Sequence, residues 1–201
     1  MLLANLKNKF IELLYNSCIK DIAHIKENYS HESFFSYCIY CDDGFDSFFD
    51  SVGCTKKWLN EQVQTLKQYH KNENETLLYI ETFAAEWNYF GSEKIENFRD
   101  INELVDNINK AYYDDEIEDL NTTSKDLDYV GLENFFREAI IVVINQLKAS
   151  KCFDSNPFES DLLLGLQFPD PDMDLKELVL KISEQVNSPQ WHKKMLASYR
   201  P

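Results

Sequence analysis

Glycine and proline are scarce, with five of each in 201 residues, and no stretch rich in Ser, Gly and Pro interrupts the chain. Nothing in it therefore behaves as a flexible linker between separately folding units, and residues 1–201 read as a single domain. Long hydrophobic runs are missing as well. No stretch of about 20 apolar residues occurs, and Asn5, Lys7, Asn8, Lys9 and Glu12 break the N-terminal segment before it reaches the length of a signal-peptide core. The expectation is a chain without a membrane span that stays in the cytoplasm. Its five cysteines, Cys18, Cys38, Cys41, Cys54 and Cys152, are an odd number in a chain large enough to fold without covalent staples, which fits a reducing compartment. Basic residues are in deficit, 20 against 35 acidic, for a net charge of −15. Nucleic acid and anionic lipid would be repelled, so neither is expected as a partner, whereas a basic protein surface would be attracted.

Catalytic signatures are also lacking. The four histidines, His24, His31, His70 and His192, fall in no recognisable spacing, and neither a Gly-x-Ser-x-Gly elbow nor a phosphate loop is present. Cys38 and Cys41, with Cys54 further on and His31 or His70 as a fourth ligand, have the chemistry zinc prefers. Positions 38 and 41 nevertheless differ by an odd number, so in a strand they point to opposite faces, and the plainer reading is that these thiols are small apolar core groups. Asp170, Asp172 and Asp174 resemble the opening of a calcium loop. The glycine and glutamate that such a loop needs are replaced by Leu175 and Lys181, and a solvated loop capping the next helix accounts for the carboxylates better. Neither a metal nor a cofactor is expected, and no residue is assigned a catalytic role.

What the sequence has in plenty is apolar surface, 44% of residues with 14% aromatic, enough to close a substantial core. Leu3, Leu6, Phe10, Leu13, Leu14, Cys18, Ile22 and Ile25 recur at helical spacing and predict a long first helix ending near Tyr29. Ser33 to Cys41 is aromatic on both alternating faces, as in a strand buried on both sides. Asp42, Asp43 and Gly44 supply turn chemistry ahead of a second strand, Phe45 to Val52, giving a hairpin. Thr55 caps a helix carrying Leu59, Val63 and Leu66, and Leu77 to Phe83 reads as a third strand. Ile101 to Tyr112 predicts another helix, and Leu132 to Leu147 a central one that is apolar almost all round. Leu162 to Phe168 reads as a last strand stopped by Pro169 and Pro171. A helical stripe from Leu175 to Val186 follows, and Ser188 with Pro189 opens a final helix. The expected fold is α+β, a small, mostly antiparallel sheet of about four strands covered by about six helices.

The negative charge is local. Asp42 to Asp50 carries four acids and no base, Asp114 to Asp128 seven acids and Lys125, and Asp154 to Asp174 six acids and no base; these segments hold −16, leaving +1 for the rest of the chain. All three lie in or beside expected loops, where binding residues are commonly displayed. Asp42, Asp43, Asp46, Asp50, Asp114, Asp115, Glu116, Glu118, Asp119, Asp170 and Asp172 are therefore the candidate partner-binding residues. Phe45, Phe48, Phe49 and Tyr113 beside them would serve as apolar anchors inside a charged rim. The alternative is that the three segments face different directions and serve solubility alone.

The long first helix, the aromatic strand from Phe34 to Asp42, the helix opened by Thr55, the Ala85-Glu86-Trp87 triplet and Val186-Asn187-Ser188-Pro189 together resemble bacterial domain-of-unknown-function family 4303. The likeness covers most of the chain, and the acidic connection around Asp114 to Asp128 would be an elaboration. The resemblance implies a small intracellular bacterial protein, some of whose relatives look like immunity proteins encoded beside secreted toxins. It carries no catalytic residues. Joined to the charge pattern, it leads to the expectation of an immunity protein that binds and occludes a cognate toxin domain with a basic surface. A second reading is an enzyme or ligand-binding domain with a site around Glu86, Trp87 and Asn187, and a third is a subunit of a larger assembly.

Overall fold

The computed structural model describes residues 2–42, 45, 49–66, 73–91, 96–114 and 129–200. Its elements in chain order are α1 (Leu2–Asn28), β1 (Phe34–Cys41), β2 (Phe49–Thr55), α2 (Lys56–Leu66), α3 (Glu73–Thr82), a 3₁₀ turn at Ala84–Glu86, β3 (Tyr89–Phe90), α4 (Arg99–Asp114), α5 (Tyr129–Ala149), β4 (Phe158–Gln167), α6 (Met173–Val186) and α7 (Pro189–Tyr199). The fold is α+β, and among the described residues it has one four-stranded sheet and seven α-helices.

The sheet runs β3-β2-β1-β4. β1 pairs antiparallel with β2, with Cys41 opposite Phe49, and β2 pairs antiparallel with β3. β4 joins the other side of β1 in parallel, with Tyr37 opposite Leu164 and Tyr40 opposite Gln167. A parallel partner must return to the same starting end, and the long excursion through the helices between β1 and β4 provides that return. β1 is thus central, and seven of its eight residues are buried, as its two-faced apolar sequence requires.

α1 buries the stripe Leu6, Phe10, Leu14, Cys18, Ile22 and Ile25, the spacing that places side chains on one face of a helix. Phe10 meets Phe49, Phe135 and Phe136 edge-on, joining α1, β2 and α5 in one layer. The other face of the sheet receives α7, where the Tyr199 hydroxyl donates to Gln167 Oε1 at 2.9 Å and to the Thr82 carbonyl at 3.3 Å. Helix starts follow their caps: Thr55 Oγ1 accepts from the Trp58 amide, Asp172 Oδ1 from Leu175, and Ser188 Oγ from Trp191, with Pro189 in the first turn of α7.

Three sequence expectations are corrected. The expected strand Leu77 to Phe83 is not formed: α3 covers Leu77 to Thr82, Thr82 Oγ1 bonds back to the Leu78 carbonyl at 2.7 Å, and Tyr89–Phe90 takes the edge position in the sheet. A short apolar run satisfies both periods, and here the helical one buries Ile80 while leaving Tyr79 outside. β4 begins at Phe158, ahead of the expected Leu162, because a bulge lies between the Phe34–Phe158 and Ser36–Leu163 pairs. β2 runs Phe49–Thr55, shifted along the chain from the expected Phe45 to Val52.

Candidate protein-docking surface

The register of the sheet decides where the acidic residues go. β1 and β4 run in parallel and end together, so Asp42, one residue past β1, and Asp170, three past β4, leave the sheet at the same end. α4 runs toward that end too. Its Asn102 brackets Phe49 with a 2.6 Å bond from the Phe49 amide and a 3.0 Å bond to its carbonyl, and its Asn109 Nδ2 donates to the Phe45 carbonyl at 2.9 Å. Asp114 closes the helix little more than one turn further on. The Phe45 ring lies 4.6 Å from Phe136 and 5.7 Å from Phe168, so the segments after β1, along α4 and after β4 converge on one aromatic plug.

Of the candidate partner-binding residues, Asp170 and Asp172 are exposed and Asp42 is half-buried. The backbone of Asp114 is placed as above; Asp43, Asp46, Asp115, Glu116, Glu118 and Asp119 lie outside the described residues. Asp50 is corrected: it is 3% exposed, faces inward on β2, and accepts from the Ser51 amide at 2.7 Å, so it offers nothing to a partner. The acidic segment Asp154 to Asp174 is also corrected as a unit. β4 cuts it in two, leaving Asp154, Glu159 and Asp161 at the start of the strand and Asp170, Asp172 and Asp174 past its end.

The apolar anchors change as well. Phe45 and Phe49 are buried core, and Phe48 and the side chain of Tyr113 lie outside the description. The exposed large apolar groups near Asp170 are Met173, 64% exposed, and Tyr79, 44% exposed. Tyr79 stacks on Phe83 at 4.6 Å, which stacks on Tyr199 at 4.5 Å, so a column of three rings fixes its orientation. Partial burial raises the Tyr79 phenol above its ordinary range, and the carboxylates of Glu86 and Asp170 raise it further, which places both charges within electrostatic reach of the ring. A rigid tyrosine and an unbranched methionine among carboxylates have the composition of an interface centre. The helical period of α3 is what brings Tyr79 to the surface, and reading that segment as a strand concealed it.

A buried polar cluster was not anticipated at all. Asp21 of α1, fully buried, receives the Tyr89 hydroxyl on Oδ1 at 2.5 Å and the hydroxyls of Ser51 and Tyr37 on Oδ2 at 2.6 and 3.0 Å. Burial raises its pKa, and the three donors hold it back down in part. The only hint in the sequence is an aspartate three residues after Cys18 and one before Ile22, beside the apolar stripe of α1. With no accessible surface, Asp21 ties α1 to β1, β2 and β3 rather than acting on a ligand.

The alternative site does not assemble. Trp87 is buried with its indole donating to the Ile80 carbonyl, next to β3 at one edge of the sheet. Asn187 is at the other edge, where its amide both accepts from and donates to the main chain of Leu164. Glu86 is half-buried and uses its carbonyl to accept the Trp58 indole. Cys38 and Cys54 are buried, and burial pushes both thiols up, Cys54 to about 12. No group of three or more potential metal ligands gathers among the described residues. No helix there is long and apolar enough to cross a membrane.

The arrangement defines an α+β domain with helices on both faces of a mixed four-stranded sheet, and among the described residues Asp42 and Asp170 leave that sheet at the same end. Residues 14–199 match the family described as Domain of unknown function (DUF4303), and the chain belongs to it. No curated protein and no solved structure matches the chain.

Proposed function

We propose that this chain is a cytoplasmic immunity protein that binds a cognate toxin domain and occludes it with the acidic end of the sheet. The observation that carries the reading is the parallel pairing of β1 with β4, which turns Asp42 and Asp170 to one end, beside the exposed Tyr79 and Met173. Carboxylates around an aromatic anchor suit a basic protein surface: the charges speed encounter and the ring supplies desolvated contact. If the toxin acts on nucleic acid, the same carboxylates stand where phosphates would lie.

Co-expression with the toxin domain encoded next to this chain tests the proposal. A 1:1 complex that restores growth is expected, and full toxicity with no complex would refute it. Within a complex, Tyr79→Ala should weaken binding by about 2 kcal/mol or more, as for a central aromatic anchor, measured by calorimetry.

A further inference from the structure

A pocket of about 290 Å³ lies where the middle of α1 meets the first turn of α4. Leu13, Asn16, Ser17 and Lys20 line it from α1, with Ile19 beside them, and Asp100 lines it from α4. Positions 13, 16, 17 and 20 are separated by helical steps of three and four residues, so they form one continuous strip along α1. That strip runs next to the stripe of Leu14, Cys18 and Ile22 that enters the core. The volume is at the lower limit of small-molecule pockets, which span about 300–1,000 Å³, so it suits a compact molecule rather than a peptide or a folded partner.

Two features set it apart from an ordinary groove between helices. Ser17 is 4% exposed, lines the pocket, and bonds through its hydroxyl to no group among the described residues. A hydroxyl inside a helix commonly returns to the carbonyl four residues back, as that of Thr65 does to Glu61 and that of Thr82 to Leu78. A nearly buried hydroxyl without such a bond keeps one donor and two acceptor positions for whatever fills the space in front of it. The second feature is a divided pair of charges. The Lys20 ammonium makes no ion pair among the described residues, and the one such pair of Asp100 is with its neighbour Arg99, at 3.5 Å. Opposite charges thus line one small pocket without closing on each other.

We infer that this pocket binds a free α-amino acid with an aliphatic side chain. Its carboxylate goes to Lys20, its ammonium to Asp100, and its side chain lies over the half-buried Leu13 and Ile19, while the Ser17 hydroxyl donates to the carboxylate. A simple anion would be repelled by Asp100 and a simple cation by Lys20, so a molecule carrying both charges is what answers both walls. Asp100 is about 21 Å along α4 from Asp114, and the site stands or falls separately from the toxin-binding reading.

The test uses the full chain labelled with ¹⁵N, titrated with L-leucine and with two molecules that each lack one of its charges, 4-methylpentanoate and 3-methylbutylamine. L-Leucine is expected to shift the Ser17, Lys20 and Asp100 amides and to saturate with a Kd of about 1 mM, and each of the other two to bind about tenfold more weakly, through loss of a charge-assisted hydrogen bond. Lys20→Met and Asp100→Asn, both surface changes, should each lower the affinity for L-leucine by about tenfold. Ser17→Ala separates a ligand-facing hydroxyl from a structural one. It should weaken L-leucine binding while leaving the urea midpoint of the empty protein unchanged or higher, because no internal hydrogen bond is lost. No shift at about 20 mM L-leucine, equal binding of all the probes, wild-type affinity in Lys20→Met, or a lowered urea midpoint in Ser17→Ala would each overturn the inference.

Discussion

Asp21 shows how much a single buried carboxylate governs. Its three hydroxyl donors come from three different strands, so removing it leaves Tyr37, Ser51 and Tyr89 without their acceptor in the core. Asp21→Ala should cost about 3 kcal/mol or more of stability in urea melts, since each orphaned buried donor costs about 1–3 kcal/mol. The pH dependence has an unusual sign. Burial raises Asp21 above the ordinary 3.8, so the folded state holds the proton more tightly than the unfolded one. Its contribution is complete below about 3.8 and is lost as pH rises through the folded value. Glu138, Glu159 and Glu177 act the other way: hydrogen bonds from Lys7, Lys56 and Arg200 lower them, so their contribution is present above the ordinary 4.5 and is lost as pH falls through their folded values. The stability of the wild type minus that of Asp21→Asn isolates the first effect and should shrink as pH rises from about 3.8 through the raised folded value; a difference independent of pH would contradict the assignment. Gly91 belongs to the same neighbourhood, because a Cβ there would lie 2.3 Å from Ser51 Oγ and 2.6 Å from Asp50 Oδ1. Gly91→Ala should therefore destabilise the fold by about 1–3 kcal/mol through overpacking.

At the scale of elements, what could be read from the residues was whatever one periodicity and one terminus signal specified together. The i, i+4 stripe of α1, the doubly buried β1 and the Ser188-Pro189 start of α7 satisfy this, and all three stand where their residues place them. Leu77 to Phe83 did not, because seven apolar-rich residues without a cap fit either period, and the anchor Tyr79 was hidden with it. Asp50 was misplaced for a related reason: a chain of four aspartates reads as solvated loop, yet the alternation of β2 turns this one inward among Ser51 and Gly91. Asp21 left no trace but its place beside the stripe of α1, since its partners are brought together only by the sheet. The caps are open to direct measurement. Asp172→Ala removes the acceptor for the Leu175 amide and should cost about 1 kcal/mol in thermal melts, with the secondary structure otherwise unchanged.

For the whole molecule, the decisive feature is one strand pairing in parallel. Had β4 joined β1 antiparallel, Asp170 would leave the sheet at the end opposite Asp42. The parallel register puts Asp42 and Asp170 at one end while separating Asp154, Glu159 and Asp161 from Asp170, Asp172 and Asp174, a division no count of charges along the chain reveals. The measurement that tests this account most directly is the association rate of the chain with its neighbour-encoded toxin domain, by stopped flow at low and physiological salt, for wild type and for Asp114→Lys with Asp170→Lys. The account predicts an on-rate lowered by about tenfold at low salt, a gap that narrows as salt is added, and an off-rate changed much less. An on-rate equal to wild type at low salt would contradict it.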